Sequence, residues 1–598
     1  MAVVATMTAL SSPHFLAQVW ISGLPASGDL GHWFMLIAAL ALAAVAPRRL
    51  LRAAGAALDR LAGRPAPALV GIAVLAMAIP AAVSLSGRIP TPQYHDEFSY
   101  LIAAQTFAAG RLSNPPHEHW PHFESIHILQ QPTYMSKYPP GQGLALAAGI
   151  VLLGEPIAGA WLSGALACAG VFWMLLAWLP RRWALIGAIL CLLHPQVLMW
   201  SQSYWGGAVA LLGAALLWGA LGRLIGAHPP ATQPPRQRQT ADAARLSRIA
   251  AVLTIMAVGA VILANSRPYE GMLVSVPAIV AATVWLVREF RRQAAQAALI
   301  VAPAAAVLLA GAAWMGYYNW RITGRALTMP YALHDSMYNR TPHFIFQGLR
   351  PAPTYRHAAL AEFHGEWEPQ QWQRQQSVSG WVAATLRFKL MYLAMGALQP
   401  LALAVPLAAL PLVLRRQSPM RIPAIALAIF VVGLLPLTWR IWPHYAAPAA
   451  PAMLILLCAS MSQLGAWTWG GAEVGRRIVL AVGLVFVATS VRALPRMAQV
   501  PTPLGALRER VESELLAQPL EDLVLVDYAP AQPLAGKAHA AWVYNAANID
   551  ASPIVWAWSM GQAEDLALRR YFASRRAWLL RLSNPPSLEE LPPLLADK

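Results

Sequence analysis

Residues 296–316 read QAALIVAPAAAVLLAGAAWMG, twenty-one positions without an ionisable side chain, and Arg288, Arg291 and Arg292 stand just before them. A helix rises about 1.5 Å per residue, so this stretch is long enough to cross a hydrocarbon core of roughly 30 Å. Arginines gathered at one end of such a span mark the side that stays inside. The same pattern recurs near 31–48, 66–86, 156–178, 183–200, 206–226, 249–265, 271–287, 397–414, 422–438, 445–466 and 478–494. The chain therefore reads as a polytopic α-helical membrane protein with about twelve transmembrane helices. Composition agrees: 57% of its 598 residues are hydrophobic, 12% are charged and the mean hydropathy is +0.47, too little polar surface for a soluble globule of this length.

The remaining basic clusters fix a common side. Arg48, Arg52, Arg60 and Arg64 follow the first span, Arg181-Arg182 the third, Arg236 to Arg248 the fifth, Arg415-Arg416 the ninth and Arg476-Arg477 the eleventh. All fall inside if Gly141 to Gly154, apolar but too short to cross, is a half-buried helix on the outer face. The outer side then receives the loop 87–155, the turn Asn265 to Glu270, the loop 317–396, Trp442-Pro443-His444-Tyr445 and the C-terminal tail. Residues 380–395 carry Arg387 and Lys389 among apolar neighbours and read as an interfacial amphipathic helix.

The formal charge of +17 comes from these short clusters between spans, which argues against nucleic acid as a partner. Cys168, Cys191 and Cys458 lie in apolar spans without metal-type spacing, so neither a disulfide nor a zinc framework is expected. Residues 1–24 lack a basic region ahead of their first apolar stretch and read as an interfacial segment, not a cleavable signal peptide. The Pro234-Pro235 region reads as a flexible inner loop.

Two domains follow: a membrane domain over 1–494 and a small extramembrane α/β domain over 495–598. In the latter, Leu523 to Val526 and Ala577 to Leu580 read as buried strands and Gln562 to Phe572 as an amphipathic helix.

Chemistry gathers on the outer side. Asp96 and Glu97 stand about ten residues beyond the second span, where a partly desolvated carboxylate suits a general base acting on a hydroxyl or amine. A solvated loop acid or a helix N-terminal charge would look the same in sequence. Lys137 precedes Tyr138-Pro139-Pro140 in a chain with 40 arginines and four lysines; a compact ammonium on a stiff turn suits contact with a phosphate oxygen, or snorkelling at the interface. Arg267 in Asn265-Ser266-Arg267-Pro268-Tyr269-Glu270 defies the positive-inside trend, pointing to a bound anion or to an ion pair with Glu270. His117-Glu118-His119 with His122 supplies residue types that ligate a divalent ion, and that metal is the one cofactor left open.

Acidic residues early in the first outer loop, the Lys-Tyr-Pro-Pro turn ending it, short apolar helices on the outer face and a soluble tail together resemble the GT-C glycosyltransferases. Within them the chain is similar to the group of the lipid A aminoarabinose transferase and the protein O-mannosyltransferases, bacterial members especially. The segments 267–270, 442–448 and 542–550 carry the likeness further, which adds Tyr138, Glu270, His444 and Tyr445 to the candidate site. The resemblance implies a polyprenyl-phosphate-linked sugar donor drawn from the lipid, a glycan, lipid or protein acceptor, inverting displacement, Asp96 as base, and Lys137 and Arg267 on the lipid phosphate. It places the protein in a bacterial inner membrane with the site and tail facing the periplasm. This chain departs from the aminoarabinose transferase pattern at Ser136, where the family has Glu before its Lys-Pro-Pro, and at Tyr138, which separates Lys from the prolines. A transporter or flippase is the rival class, because intramembrane Arg, Glu and Asn also line substrate pathways.

Overall fold

The computed structural model describes residues 30–226, 235–439, 441–497, 503–528, 542–582 and 586–594. The N-terminal segment 1–24 and Pro234 lie outside them, and Pro235 begins a helix that runs to Ala264. Helices form at all twelve expected places. Among the described residues, seven are long and apolar enough to span a membrane, or eight if Leu401–Arg416 and Ser418–Leu434, bent by 119°, are one broken span. The expected count of about twelve is thus met in helical segments but not in full-length spans. Proline accounts for part of the shortfall: Arg181–Leu193 stops before Pro195, whose ring disfavours helical geometry in the residue ahead of it.

The bundle core is built from apolar side chains of 156–175, 208–225, 268–289 and 450–465. The three cysteines, distant in sequence, converge here, with Cys191 in hydrogen-bond contact with Cys168 and close to Cys458. At one end of the bundle the basic segments meet. Arg182 pairs with Asp59, Arg48 donates to the Gly471 carbonyl, and Arg477 donates to the Ala43 carbonyl. The Arg48–Arg64 region is itself a helix, Arg48–Ala62, not a loop.

At the opposite end the first outer loop folds into a helix, His95–Ala108, and a two-stranded ribbon pairing β1 (Ile128–Leu129) with β2 (Met135–Ser136). The apolar helix Pro140–Leu153 follows and packs on both His95–Ala108 and Pro156–Leu175. Its contact with the latter is glycine on glycine: a Cβ added to Gly159 would lie 2.0 Å from the Ala145 carbonyl oxygen, and one on Gly149 would lie 2.2 Å from Gly159 N. Residues 378–397 are helical, with a π-helical stretch Thr385–Leu390, but the helix is not simply interfacial. Lys389 is 1% exposed and donates to the carbonyls of Leu435 (2.6 Å) and Leu437 (2.7 Å), just past the C-terminal end of Arg421–Leu434.

The tail holds a four-stranded sheet in the order β4-β3-β5-β6, from β3 (Asp522–Asp527), β4 (Ile554–Trp558), β5 (Arg576–Arg581) and β6 (Ser587–Glu590). β3 runs parallel to β4 and β5, while β6 is antiparallel. Both expected strands and the expected helix are present (Gln562–Tyr571); β4, β6 and the helix Pro503–Leu516 are additions. Alternation along β3 sorts its side chains between two cores. Val524 and Val526 face Val511 and Leu515, whereas Leu523 and Leu525 share a cluster with Phe98, Ile102 and Phe123 of the first outer loop. One face of the tail is therefore built against the helix that carries Asp96.

Candidate active site

His95–Ala108 begins with its two acids facing different tasks. Glu97, 4% exposed, accepts from the backbone N–H of Gln93 (2.8 Å) and Tyr94 (3.2 Å) on one oxygen and of Tyr204 (3.1 Å) on the other. It caps the helix start and staples it to the segment before Ala208–Ile225. Burial pushes its carboxyl up to about 7, against the three N–H donors that favour the ionised form. Asp96, one position earlier and half-buried, accepts from the Tyr138 hydroxyl. The two carboxylates read from sequence as alternatives are thus distinguished: Glu97 is committed to backbone donors and Asp96 to a side chain.

The ribbon delivers Lys137 and Tyr138. Ser136 bonds Ser99 (2.7 Å) and accepts from Tyr138 N (3.1 Å), and Ser99 also donates to the His127 carbonyl (2.8 Å). The Lys137 N–H reaches the same carbonyl (3.2 Å), with His127 itself at φ 69°, a left-handed conformation uncommon for a residue with a side chain. Ser136 thus ties the turn to the Asp96 helix at the position where the aminoarabinose transferase pattern has an acid. The Tyr138 ring stacks on Tyr100 with centroids 4.7 Å apart.

Lys137 is 3% exposed, and its ammonium lies over the Tyr331 ring at 4.5 Å and near Tyr138 at 5.5 Å. Among the described residues no hydrogen bond or ion pair reaches the ammonium. Asp335, Glu368 and Asp96 are the carboxylates whose field it feels, while burial lowers its proton affinity. Each has another partner: Asp335 lies 2.9 Å from His343 Nε2, Glu368 accepts from His364 Nδ1 at 2.8 Å, and Asp96 holds Tyr138. Around Lys137 the rings of His127, His334 and His364 lie with centroids 5.6–6.4 Å apart. Burial, with the lysine charge next, keeps His127 far below the ordinary imidazole range and His334 at about 3, so both are neutral.

Gly141 couples this turn to the next. Its N–H donates to the Asn265 carbonyl at 2.7 Å, and a Cβ there would lie 2.7 Å from that oxygen and 3.2 Å from Ser266 Cβ. The close approach brings the Lys137-Tyr138 turn against Asn265-Ser266-Arg267. Arg267 stands at the N-cap of Pro268–Glu289 with its guanidinium over Tyr445 at 4.9 Å. Among the described residues the guanidinium too has no hydrogen bond or ion pair. The pairing with Glu270 expected as one alternative does not form within 4 Å, although Glu270 is buried nearby. Tyr445 stacks on His444, and the His444 ring lies tilted by 48° against Trp205, each with centroids 4.9 Å apart.

The histidine cluster of the first loop goes elsewhere. His117 Nε2 meets Asp550 at 3.0 Å while its Nδ1 accepts from His119 N, and His122 Nδ1 donates to the Trp558 carbonyl at 2.8 Å. Both nitrogens of His117 are spent and His122 points into the tail, so these residues do not fit the metal reading; they dock the tail. Among the described residues no group of three or more His, Cys, Asp or Glu is placed to hold an ion. Sequence reasoning missed Tyr331, Asp335 and Glu368, which reach the site only through tertiary contact, and Tyr100, one helical turn after Asp96; Tyr544 lay in the segment 542–550 that carried the resemblance, with no role assigned to it.

No protein-family model matches the chain, and no curated protein matches it. Solved structures do. ArnT from Cupriavidus metallidurans bound to undecaprenyl phosphate is similar at 12% identity and TM-score 0.46, over 86% of this chain and 92% of that one. The archaeal oligosaccharyltransferase AglB from Archaeoglobus fulgidus, in complex with an inhibitory peptide and a dolichol-phosphate, gives 14% identity and TM-score 0.38, over 86% and 69%. The Archaeoglobus fulgidus oligosaccharyltransferase complex with Zn and sulfate gives 13% and 0.43, over 85% and 67%. All three scores lie below 0.5.

Proposed function

We propose that this chain is a membrane glycosyltransferase that moves a sugar from a polyprenyl-phosphate carrier to a hydroxyl or amine of an envelope acceptor, at the outer face of a bacterial cytoplasmic membrane. One observation carries the reading: two cations, Lys137 and Arg267, stand with no carboxylate within ion-pair distance among the described residues, on turns that Gly141 presses together, next to Asp96. A buried cation without a partner is costly, and an anionic ligand removes that cost. The phosphodiester that joins sugar to isoprenoid supplies the anion at headgroup level while its tail stays in lipid, and becomes a monoester when the sugar leaves.

In this mechanism the acceptor O–H or N–H attacks the anomeric carbon from the face opposite the phosphate, and the bond from that carbon to the phosphate oxygen breaks. Asp96 takes the acceptor proton, and the Tyr138 hydroxyl holds the carboxylate in place. Lys137 and Arg267 stabilise the charge that grows on the departing phosphate. A single displacement inverts the anomeric configuration.

The test compares envelope glycans and lipids by mass spectrometry in cells lacking the protein and in cells carrying wild type or Asp96→Asn. Loss of one sugar is expected without the protein and with Asp96→Asn, whose purified form should turn over roughly 10²–10⁴-fold more slowly while still binding polyprenyl phosphate. Unchanged envelope glycans, or an Asp96→Asn enzyme within tenfold of wild type, would sink the assignment and favour the transporter.

A further inference from the structure

Among the described residues of the tail, Tyr544 brings its side chain to the start of the helix that carries Asp96. Tyr544, 4% exposed, stands in the segment 542–549 and stacks on Phe98 of the Asp96 helix with centroids 4.5 Å apart. Arg508 holds it from behind, donating to the Tyr544 carbonyl (3.2 Å) with its guanidinium over the other face of the contact, 4.5 Å from the Phe98 ring. The Tyr544 hydroxyl lies 2.9 Å from the Ile126 carbonyl oxygen and 2.7 Å from His95 Nδ1.

These two distances fix a proton. A phenol has one hydrogen, and a carbonyl oxygen only accepts, so the hydroxyl hydrogen points to Ile126. Toward His95 the phenol oxygen then accepts, and Nδ1 carries a hydrogen in either charge state of the ring. His95 is the first residue of the helix, immediately before Asp96, and Ile126 immediately precedes His127, whose carbonyl seats Lys137 N and Ser99. A single hydroxyl of the tail thus bridges the helix start and the turn on which the two halves of the site rest. Its neighbours repeat the pattern: Tyr134 donates to the Asn545 carbonyl (3.1 Å), Ala547 N to Gln105 Oε1 (2.8 Å), and Trp558 Nε1 to the Glu124 carbonyl (2.7 Å).

We infer that Tyr544 is a positioning residue: its hydroxyl, held by the C-terminal sheet, keeps His95 protonated on Nδ1 and sets the first helical turn from which Asp96 acts. The soluble tail is then a working part of the site. The kinetic half of this inference rests on Asp96 as base; the tautomer half does not.

The experiment uses the full-length protein in nanodiscs with three variants, Tyr544→Phe, His95→Asn and His95→Gln. An Asn amide nitrogen takes the place of Nδ1 and a Gln amide nitrogen that of Nε2, so the two report on different ring positions. Tyr544→Phe and His95→Gln should each lower kcat roughly 10–100-fold with KM for the donor unchanged, because the base is misplaced and not removed. His95→Asn should stay within about threefold of wild type, a rescue that general packing would not produce. Independently, ¹⁵N spectra of histidine-labelled protein should show the His95 Nδ1 signal protonated in wild type and changed in Tyr544→Phe. If that variant does not fold, His95→Gln carries its arm. Equal kcat in all four proteins, or loss in His95→Asn equal to that in His95→Gln, overturns the positioning role. A His95 signal with Nδ1 unprotonated in wild type overturns it even if no sugar transfer is ever detected, whereas transfer that survives Asp96→Asn defeats the base assignment alone.

Discussion

At one end of the bundle Arg182, Arg245 and Arg476 each find a carboxylate; at the other, where Arg356 pairs with Glu124, Lys137 and Arg267 have none within ion-pair distance among the described residues. Arg182 pairs with Asp59, Arg245 with Glu289 and Arg476 with Glu473, with 21–48% of each arginine side chain exposed. Lys137, 3% exposed, and Arg267 instead face tyrosine rings. Solvent makes the first kind of charge cheap to place and its pairing nearly worthless, about 0–1 kcal/mol. Burial makes a charge such as Lys137 expensive, so a fold that keeps it beside the half-buried Arg267, neither in a direct ion pair among the described residues, gives up stability for something other than stability. On the proposed function, the difference separates charges that orient the chain from charges that receive the donor phosphate.

The largest effect expected at either end is on donor binding. Lys137→Ala and Arg267→Ala should each weaken binding of decaprenyl phosphate by roughly 10–100-fold, the worth of a charge-assisted hydrogen bond of about 1.5–3 kcal/mol. Neither should lower the melting temperature of the ligand-free protein, because no ion pair is lost. Titration of the lipid into nanodisc-held protein, beside a melting curve, reads both; a variant that melts early yet binds normally would make these cations structural and erase the contrast.

Glu97 sits between the two classes, a buried acid fully engaged by backbone donors. Its folded-state pKa is raised from 4.5 to about 7, so the folded state holds its proton more tightly than the unfolded chain. Stability from this group is fully present below pH 4.5, falls as pH rises toward 7 and is flat beyond. Glu97→Gln should remove that slope and cost about 1–3 kcal/mol near pH 7, since an amide oxygen cannot accept all three N–H groups. Melting temperatures from pH 4 to 8 test it, and an unchanged slope in the variant would show that Glu97 is not its source. Smallest of all, Glu289→Ala should change stability by under about 1 kcal/mol and progressively less at high salt; a larger loss would mean the paired end is also under load.

The helices were legible because lipid demands uninterrupted apolar runs, and those runs are local. Their count was not, because Pro195 and the bend between 416 and 418 shorten or break elements whose hydropathy continues across them. β4 escaped notice since Ile554 to Trp558 is buried throughout and lacks the alternation that marks a half-exposed strand. Asp96, Lys137 and Arg267 stood out through features of their own: an acid near lipid, a rare lysine, an arginine on the wrong side. Glu97 could not be separated from Asp96, because its second backbone anchor, Tyr204, lies 107 residues away. Likewise the spacing of His117, His119 and His122 suggests ligation, while their actual partners, Asp550 and Trp558, come from the far end of the chain.

Gly141 sets how near the turn holding Lys137 comes to the turn holding Arg267, and it does so by what it lacks. Adding one methyl group would drive a wedge of carbon into a 2.7 Å gap, against backbone that has no flexible end to yield. The reach between the two charges is in that sense a manufactured tolerance, kept by a hydrogen atom where every other residue would insert a shim.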